Sequence, residues 1–529
     1  MLKRDPHAAA ASPHELIIIG GGIYGACLAL EAACRGLRPL LLERDDFGQA
    51  TSWNSLRILH GGLRYLQRLD VPRWAESTRE QAWFRESFPE LVRPLPCLMP
   101  IYNRGLRRRG TLRAAFLAET MLVRLARVRR GAQPGLPRPR VVDAATTTRL
   151  FPAVARRGLR GGAVWCDLMM TSPQRLLVEI LRWAAARGAR VLNYVEAAQL
   201  APARSELIGV LARDRLTDAE LTFRAPLVVN CAGPWCGQVA ERLAAPLAGG
   251  PPMSLAFNLL LDKPALSAHA LAVAPREGPA GANLFLLPLH GRILAGTYHA
   301  PASGPRPDAV PSAAQVREFL AALNAAVPGL DATSADVVRV CSGLLPTTAR
   351  HPARPAARPL IHDHGAHGGP RGLYSVSGVK YTTARAVAEA VLQAISRGRG
   401  RALPAANRAR PAPAAYELEL DQPPGPISWR AGGRAAELAR LAKEEAVIHL
   451  DDLVLRRTDW WAFPDQLPQL AAHVAEALGW EQARRELELE RLRAALAPVP
   501  GDGHDAPRPR TALAAFSCSV HARSSGSAD

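Results

Sequence analysis

Three glycines in one short stretch carry the clearest chemical signal in this chain. Leu16-Ile17-Ile18-Ile19 is an apolar run that reads as a strand, and Gly20-Gly21-Gly22-Ile23-Tyr24-Gly25 follows it directly. The pattern is G-x-G-x-x-G between a strand and a helix. Gly20 permits the tight turn, Gly22 lets backbone approach a pyrophosphate, and Gly25 lets helix and strand pack closely. The free N–H groups of the helix start, around Ile23 and Tyr24, then point at phosphate. A second apolar run, Pro39 to Leu42, ends at Glu43, with Arg44 next to it. A carboxylate there accepts both ribose hydroxyls of an adenosine and repels a 2′-phosphate, so NADP is disfavoured. The fingerprint fits FAD or NAD. Its place at the start of a long chain with further site-like segments favours FAD, whose binding path is extended.

Those further segments resemble one family. Thr51 to Leu66 reads TSWNSLRILHGGLRYL. Trp165-Cys166-Asp167, Asn230 to Trp235, Ser342-Gly343, Gly378 to Arg385 and Glu444 to Thr458 (EEAVIHLDDLVLRRT) follow in order. Together, over roughly residues 14 to 497, the chain is similar to the respiratory, quinone-linked glycerol-3-phosphate dehydrogenases, within the D-amino-acid-oxidase-like FAD enzymes. The resemblance implies that Thr51 and Ser52 serve the pyrophosphate and ribityl chain. It implies that His60, Gly61, Gly62 and Leu63 lie beside the flavin, with Gly61 and Gly62 letting backbone pass a flat ring. Gly233 would mark a second approach to FAD. Gly378, Lys380, Tyr381 and Thr382 would hold the flavin edge near a helix start that stabilises negative charge. Arg64 and Lys380 match family positions that orient an anionic or oxygen-rich substrate. A covalent link from His60 to flavin is not usual in this family.

Departures gather where the substrate should sit. The family's S-G-x-R-P places an Arg against substrate phosphate, but here the segment is Ser342-Gly343-Leu344-Leu345-Pro346. A second family Arg aligns with His362, the family's substrate-site His with Asn258, and its G-T-T-D with Gly296-Thr297-Tyr298-His299. Bidentate Arg–phosphate pairs are among the stronger polar contacts. Leu345 in that place would set a dianion against apolar surface at a cost of about several kcal/mol. His362, His299 or Arg350 would then have to build another anion site. The expected reaction is hydride transfer from a carbon bearing oxygen or nitrogen to flavin N5, with a base taking the heteroatom proton. His299 is the candidate base and Asn258 the candidate partner of the heteroatom. Three readings stay open: oxidation of a small (phospho)alcohol with quinone as acceptor, oxidation of another alcohol or amine, and flavin binding without turnover.

The elements that must position these groups are legible as periodicities. Glu15 to Gly36 reads strand, turn, helix, and Leu37 to Glu43 strand. Arg73 to Phe88 reads as helix. Ser172-Pro173 starts a helix to about Arg187, with a strand at Ala189 to Asn193. Pro226 to Cys231 and Leu373 to Ser377 read as strands, Leu284 to Thr297 as a hairpin, and Thr382 or Thr383 to Ile395 as a helix. Ala435 to Leu455 and Gln466 to Leu496 read as helices. The expected fold is α/β. A Rossmann-type FAD-binding domain is interleaved with a mixed-sheet substrate domain over 14–396, and an α-helical cap lies at 415–497. A flexible tail (1–13), a Pro/Arg/Ala linker (397–414) and a disordered tail (498–529) complete the division.

The 66 basic and 47 acidic residues give a formal charge of +19, which favours anionic substrates or lipid. No nucleic-acid motif accompanies that charge. The eight cysteines form no C-x-x-C pair or zinc-like spacing, so reduced thiols and no metal site are expected. Arg104 to Arg130 holds nine Arg and one acid, Glu119, with apolar Leu112, Ala115, Phe116, Met121, Leu122 and Leu125. That reads as a basic helix for an anionic leaflet. No signal peptide or spanning run is visible, so a cytoplasmic protein, either soluble or attached peripherally to the inner face of the membrane, is expected.

Overall fold

A computed structural model describes residues 1–66, 69–102, 108–130, 136–204, 207–243, 247, 252–274, 283–302, 310–348, 351–400, 402–412 and 434–496. Arg350, residues 413–433 and the segment 497–529 lie outside the described residues, as do the side chains of Arg64 and of 123–130.

The nucleotide-binding half is built on a six-stranded sheet. Its order is Leu360–Asp363, Leu373–Ser377, Val228–Asn230, Leu16–Ile19, Pro39–Leu42, Arg190–Leu192. Every neighbouring pair is parallel except the first. Strands covered on both faces become continuous apolar runs. In Leu16–Ile19 all four residues are buried. Leu16 and Ile18 face the helices Ile23–Ala33, Pro173–Ala186 and Ala384–Gly398. Ile17 and Ile19 face a three-stranded antiparallel sheet of Val195–Arg204, Leu207–Asp214 and Glu220–Ala225.

A ten-stranded, mostly antiparallel sheet forms the second half. The strand Met253–Leu261 lies between Arg292–Ala302 and Val337–Thr348. Strand period sorts its side chains. Leu255, Phe257, Leu259 and Leu261 pack with the helix Ala313–Ala326, whose Ser312 and Gln315 form a reciprocal cap. Leu260, with Leu294 and Leu287, faces the C-terminal helices instead.

Several boundaries differ from the sequence reading. The expected helix Gln466 to Leu496 is two helices, Leu467–Leu478 and Gln482–Leu496. Gly479 takes a left-handed φ of 64° and ends the first, as glycine at a helix C-terminus does. Ala435 to Leu455 likewise splits into Arg434–Glu444 and a wide, π-type turn at Leu453–Arg457 preceded by Leu450–Asp452. The first residues, expected as a flexible tail, are held. Pro6–Ala10 is helical, capped by Asp5. Leu2 is buried and its N–H donates to Glu444 O at 2.6 Å. The linker residues 402–412 have no regular structure, but Arg408 pairs with Glu31 (2.9 Å) and Arg410 with Glu90 (2.5 Å).

The π-type turn presents two consecutive arginines to one buried carboxylate. Asp46 accepts from Arg456 Nε at 2.6 Å and from Arg457 Nη1 and Nη2 at 2.7 and 2.8 Å. Arg456 also pairs with Asp451 and Asp452, and Arg457 donates to Glu445 O. Burial alone would raise the Asp46 carboxyl, but the two guanidiniums hold it far below the usual carboxylate range. Removing one partner of such a buried pair leaves an uncompensated charge. Arg457→Met is therefore expected to cost about 3–5 kcal/mol, read as a lowered urea midpoint of the purified protein. An unchanged midpoint would show that the network does not hold the helical region in place.

Candidate functional site

The ends of the strands Leu16–Ile19 and Pro39–Leu42 open on a cavity of about 1140 Å³. Its wall runs from Glu43 and Arg44 past Gly20, Gly22, Ile23, Tyr24 and Ser52 to Thr51, Gly233, Asn258, Gly343, Gly378, Lys380 and Tyr381. That size exceeds the common range for small-molecule pockets, about 300–1,000 Å³, as an extended dinucleotide requires. The glycines have measurable reasons. A Cβ on Gly20, whose φ is +108°, would lie 2.6 Å from Cys231 O, and one on Gly25 would lie 1.9 Å from Gly20 O. A Cβ on Gly22 would come within 3.2 Å of Ser52 Oγ, which accepts from Ile23 N at 3.0 Å. These residues form the bare backbone cradle that a pyrophosphate needs, so the site fits FAD.

Glu43 sits where the ribose hydroxyls belong. Its carboxylate accepts from Gly21 N at 2.6 Å and Asp45 N at 2.9 Å. Each carboxylate oxygen keeps a further lone pair for a hydroxyl. Arg44 stacks over Trp235 with its guanidinium 4.4 Å from the ring centre. At the other end of the groove, Tyr24 OH accepts from Lys380 N (2.9 Å) and donates to Lys380 O (3.0 Å). A Cβ on Gly378 would fall 2.0 Å from the Tyr24 ring, so only glycine fits there. The Lys380 ammonium bonds Tyr65 OH and lies 4.5 Å from that ring's centre.

The HGGLRY segment does not line this cavity among the described residues. His60 Nδ1 meets Asp167 Oδ2 at 3.1 Å, and the same carboxylate accepts from Gly61 N (2.7 Å) and Trp165 Nε1 (3.1 Å). Burial opposes ionisation of Asp167, but these donors, His60 first, keep its carboxyl below the ordinary value. Gly61 and Gly62 are crowded by the helix Val71–Ser87 and its neighbours. Their Cβ atoms would come within 3.1 Å of Gln81 Oε1 and Ser77 Cβ. The space they leave is taken by helix packing, a reason the sequence reading did not foresee. Leu63 packs beside Phe116 and Leu112, and Arg64 lies in the short helix Leu63–Leu66. Thr382 is buried just ahead of the helix Ala384–Gly398.

The face of the large sheet turned to the cavity follows from its register. Ala256 opposes Gly343 on one side and His299 on the other. Asn258 opposes Cys341, and Leu260 opposes Arg339. Ser254 opposes Leu345, which lines the cavity. Asn258 is buried, donates to Asn54 O at 3.0 Å, and accepts from Thr297 Oγ1 at 2.8 Å. Gly343 packs on Thr51, with a virtual Cβ 2.8 Å from Thr51 Oγ1. His299 is set back from the wall, though its row-mates Ala256 and Gly343 line part of it. Burial lowers its ring to about 4, and Nδ1 has no partner among the described residues. His362 stands apart, stacked on His367 with ring centres 4.4 Å apart. Sequence reasoning missed Trp53, Asn54 and Arg339. The parity of Arg339 with Cys341 and Gly343 was a readable signal for the last of these.

One titration follows from this geometry. Burial, then the Asp45 charge, pushes the Glu43 carboxyl up to about 7. Ribose hydroxyls donate to the ionised form, so below that pH the protein must release a proton to bind. The apparent FAD dissociation constant is expected to rise about tenfold per pH unit below 7 and to level off above it. Titration of apoprotein with FAD, followed by quenching of flavin fluorescence, reads this directly. Glu43→Gln should bind more weakly and without the slope.

Comparison with known proteins agrees with this arrangement. The model of the FAD-dependent oxidoreductase family matches residues 15–394. The chain is 33% identical over 386 residues to glycerol-3-phosphate dehydrogenase 1 of Mycobacterium tuberculosis, covering 72% of each. It is 28% identical to the glycerol-3-phosphate dehydrogenase of Synechocystis, over 92% of this chain and 90% of that one. Its fold matches the crystal structure of the Bacillus halodurans glycerol-3-phosphate dehydrogenase complexed with FAD at a TM-score of 0.68 and 23% identity, over 93% and 96% of the two chains. A fingerprint cradle with its ribose acid, set in this three-sheet fold and matched over most of its length, makes the chain a member of the FAD-dependent oxidoreductase family, an FAD-dependent dehydrogenase of the glycerol-3-phosphate dehydrogenase type.

Proposed function

We propose that this enzyme oxidises a small anionic alcohol of the glycerol 3-phosphate class and passes the electrons to a membrane quinone. The observation that carries the substrate reading is the continuity of one cavity. The nucleotide cradle and the polar pair Asn258–Thr297 share a wall. FAD, bound in the cradle, supplies the two-electron acceptor. The chain's own groups do the rest. Asn258, oriented by Asn54 O and Thr297, holds the substrate hydroxyl. Lys380, on the same wall, steadies its negative charge. His299, set back from that wall and neutral at pH 7 because burial lowers its ring to about 4, takes the hydroxyl proton through one bridging water. The quinone rests on the family resemblance.

Leu345 on the cavity wall favours a second reading, an alcohol or amine without phosphate. Anaerobic mixing separates the two. Bleaching of the oxidised flavin band by glycerol 3-phosphate supports the first, and bleaching only by uncharged alcohols or amines supports the second. His299→Ala is expected to slow reduction by the true substrate about 10²–10⁴-fold with flavin content unchanged. Full-speed reduction in that variant would remove His299 from the scheme.

We also propose that the helix Arg109–Arg130 rests on an anionic membrane surface. Leu112 and Phe116 are buried against Met99 and Ile101, which fixes the helix's inner edge. Leu117 and Met121 are 58% and 53% exposed, among exposed basic residues such as Arg108 and Arg113, and Leu69 and Val71 are exposed as well. No helix among the described residues is long and apolar enough to cross a membrane. The protein should sediment with vesicles containing phosphatidylglycerol and release at high salt. Leu117→Glu with Met121→Glu should abolish sedimentation while leaving flavin reduction intact. Sedimentation undiminished by both would overturn the assignment.

A further inference from the structure

The arginines on the cavity wall differ in one respect. Arg44 and Arg215 pair with Asp45, Arg242 with Glu196, and Arg456 with Asp46, Asp451 and Asp452. Arg339 also lines the cavity, is only 6% exposed, and has no carboxylate partner among the described residues. Its guanidinium lies between two indoles, 3.7 Å from the Trp53 ring centre and 4.8 Å from that of Trp461. Its Nη1 is fully buried without a hydrogen-bond partner among those residues. Nearby acids are committed elsewhere. Asp459 pairs with Arg57 at 3.2 Å, and Asp451 with Arg456 and Arg491, both at 2.8 Å. Burial lowers the guanidinium to about 10, with the Cys341 thiol beside it opposing the drop and the charges of Arg57 and Arg456 adding to it, so it stays a cation at neutral pH. A buried charge with no counter-ion is strongly unfavourable, and the face open to it is the cavity.

Register fixes what a ligand there would reach. Arg339 is two residues along its strand from Cys341, and Cys341 opposes Asn258. Asn258 and Arg339 are therefore diagonal neighbours on one sheet face, about 7–8 Å apart with their Cβ atoms somewhat closer. A three-carbon molecule with a hydroxyl at one end and an oxyanion at the other spans that gap.

We propose that Arg339 is the seat of an oxyanion, a phosphate or carboxylate carried by the molecule this enzyme oxidises. Recognition of negative charge has moved along the strand from the row of Leu345 to that of Arg339. This rests on the reading of the chain as a dehydrogenase of a small anionic alcohol. Trp53 and Trp461 lie against the guanidinium of a residue that lines the cavity, which favours arginine over lysine at this place.

The test uses purified holoenzyme and inorganic phosphate as the probe, with glycerol 3-phosphate in a parallel arm. Phosphate should perturb the bound-flavin spectrum and the tryptophan emission with saturation. Arg339→Gln should weaken that binding about ten- to hundredfold, with flavin content and thermal midpoint kept, and Arg339→Lys should fall between. The KM for glycerol 3-phosphate should rise by a similar factor. Equal phosphate affinity in wild type and Arg339→Gln, or no saturable response in wild type, overturns the proposal. Loss of flavin in step with loss of phosphate binding in both variants also overturns it, since Arg339 would then belong to the seat of the FAD pyrophosphate. If glycerol 3-phosphate reduces wild type and Arg339→Gln alike, the dehydrogenase reading stands and this inference fails. If phosphate binds through Arg339 but no alcohol reduces the flavin, the anion seat stands and that reading fails.

Discussion

Asp46 is held by two guanidiniums more than four hundred residues away in the chain, and the binding groove depends on that attachment. The loop that carries Asp46 also carries Glu43, Arg44 and Asp45, the wall of the groove's ribose end. Asn193 Nδ2 joins the same carboxylate at 3.0 Å, and Tyr194 OH reaches Asp452 at 2.7 Å. Loop, sheet edge and helical region thus meet at one point. A buried carboxylate with so many donors is well satisfied, and its loss in any one direction would leave charge stranded in a low-dielectric interior.

The large sheet divides labour between its faces. One carries Phe257, Leu259 and Tyr298 into a dry core with Phe319. The other carries small and polar side chains over the cavity, then turns apolar at Leu260 and Leu294 beneath the C-terminal helices. Ala256 and Gly343 keep the wall low where Thr51 approaches, while Asn258 and Arg339 stand to one side. A single strand register therefore decides both how the core packs and where polar groups meet a bound molecule.

The nucleotide cradle was legible because its logic is local. Strand, turn, glycines and acid lie within thirty residues, and each glycine's reason follows from backbone contact alone. The β-strand and helix sequence of the same half was legible for similar reasons of period. What escaped notice was long-range. Gly61 and Gly62 are small because of Gln81 and Ser77, contacts that no spacing announces. The break at Gly479 had a local signal, yet the apolar period carried through it. The pairing of Asp46 with Arg457 had no signal in sequence, since nothing in either segment names the other. The positions where family residues are replaced, Leu345, Asn258 and His362, were visible as departures. The placing of Arg339 beside Asn258 became readable only from the strand register.

The strand order of the six-stranded sheet has a consequence for how the chain matures. Its central strands come from residues 16–19, 228–230 and 373–377, and the loop beside Glu43 is fastened by residues 456 and 457. Contacts of such high sequence separation form late and slowly. During synthesis the first βα unit must wait, with an apolar strand unpaired on one side, until residues 228–230 have emerged, and its loop stays unfastened until nearly all of the polypeptide has. Holding chaperones, or early flavin capture that steadies the emerging turn, would shorten the interval in which that edge can aggregate.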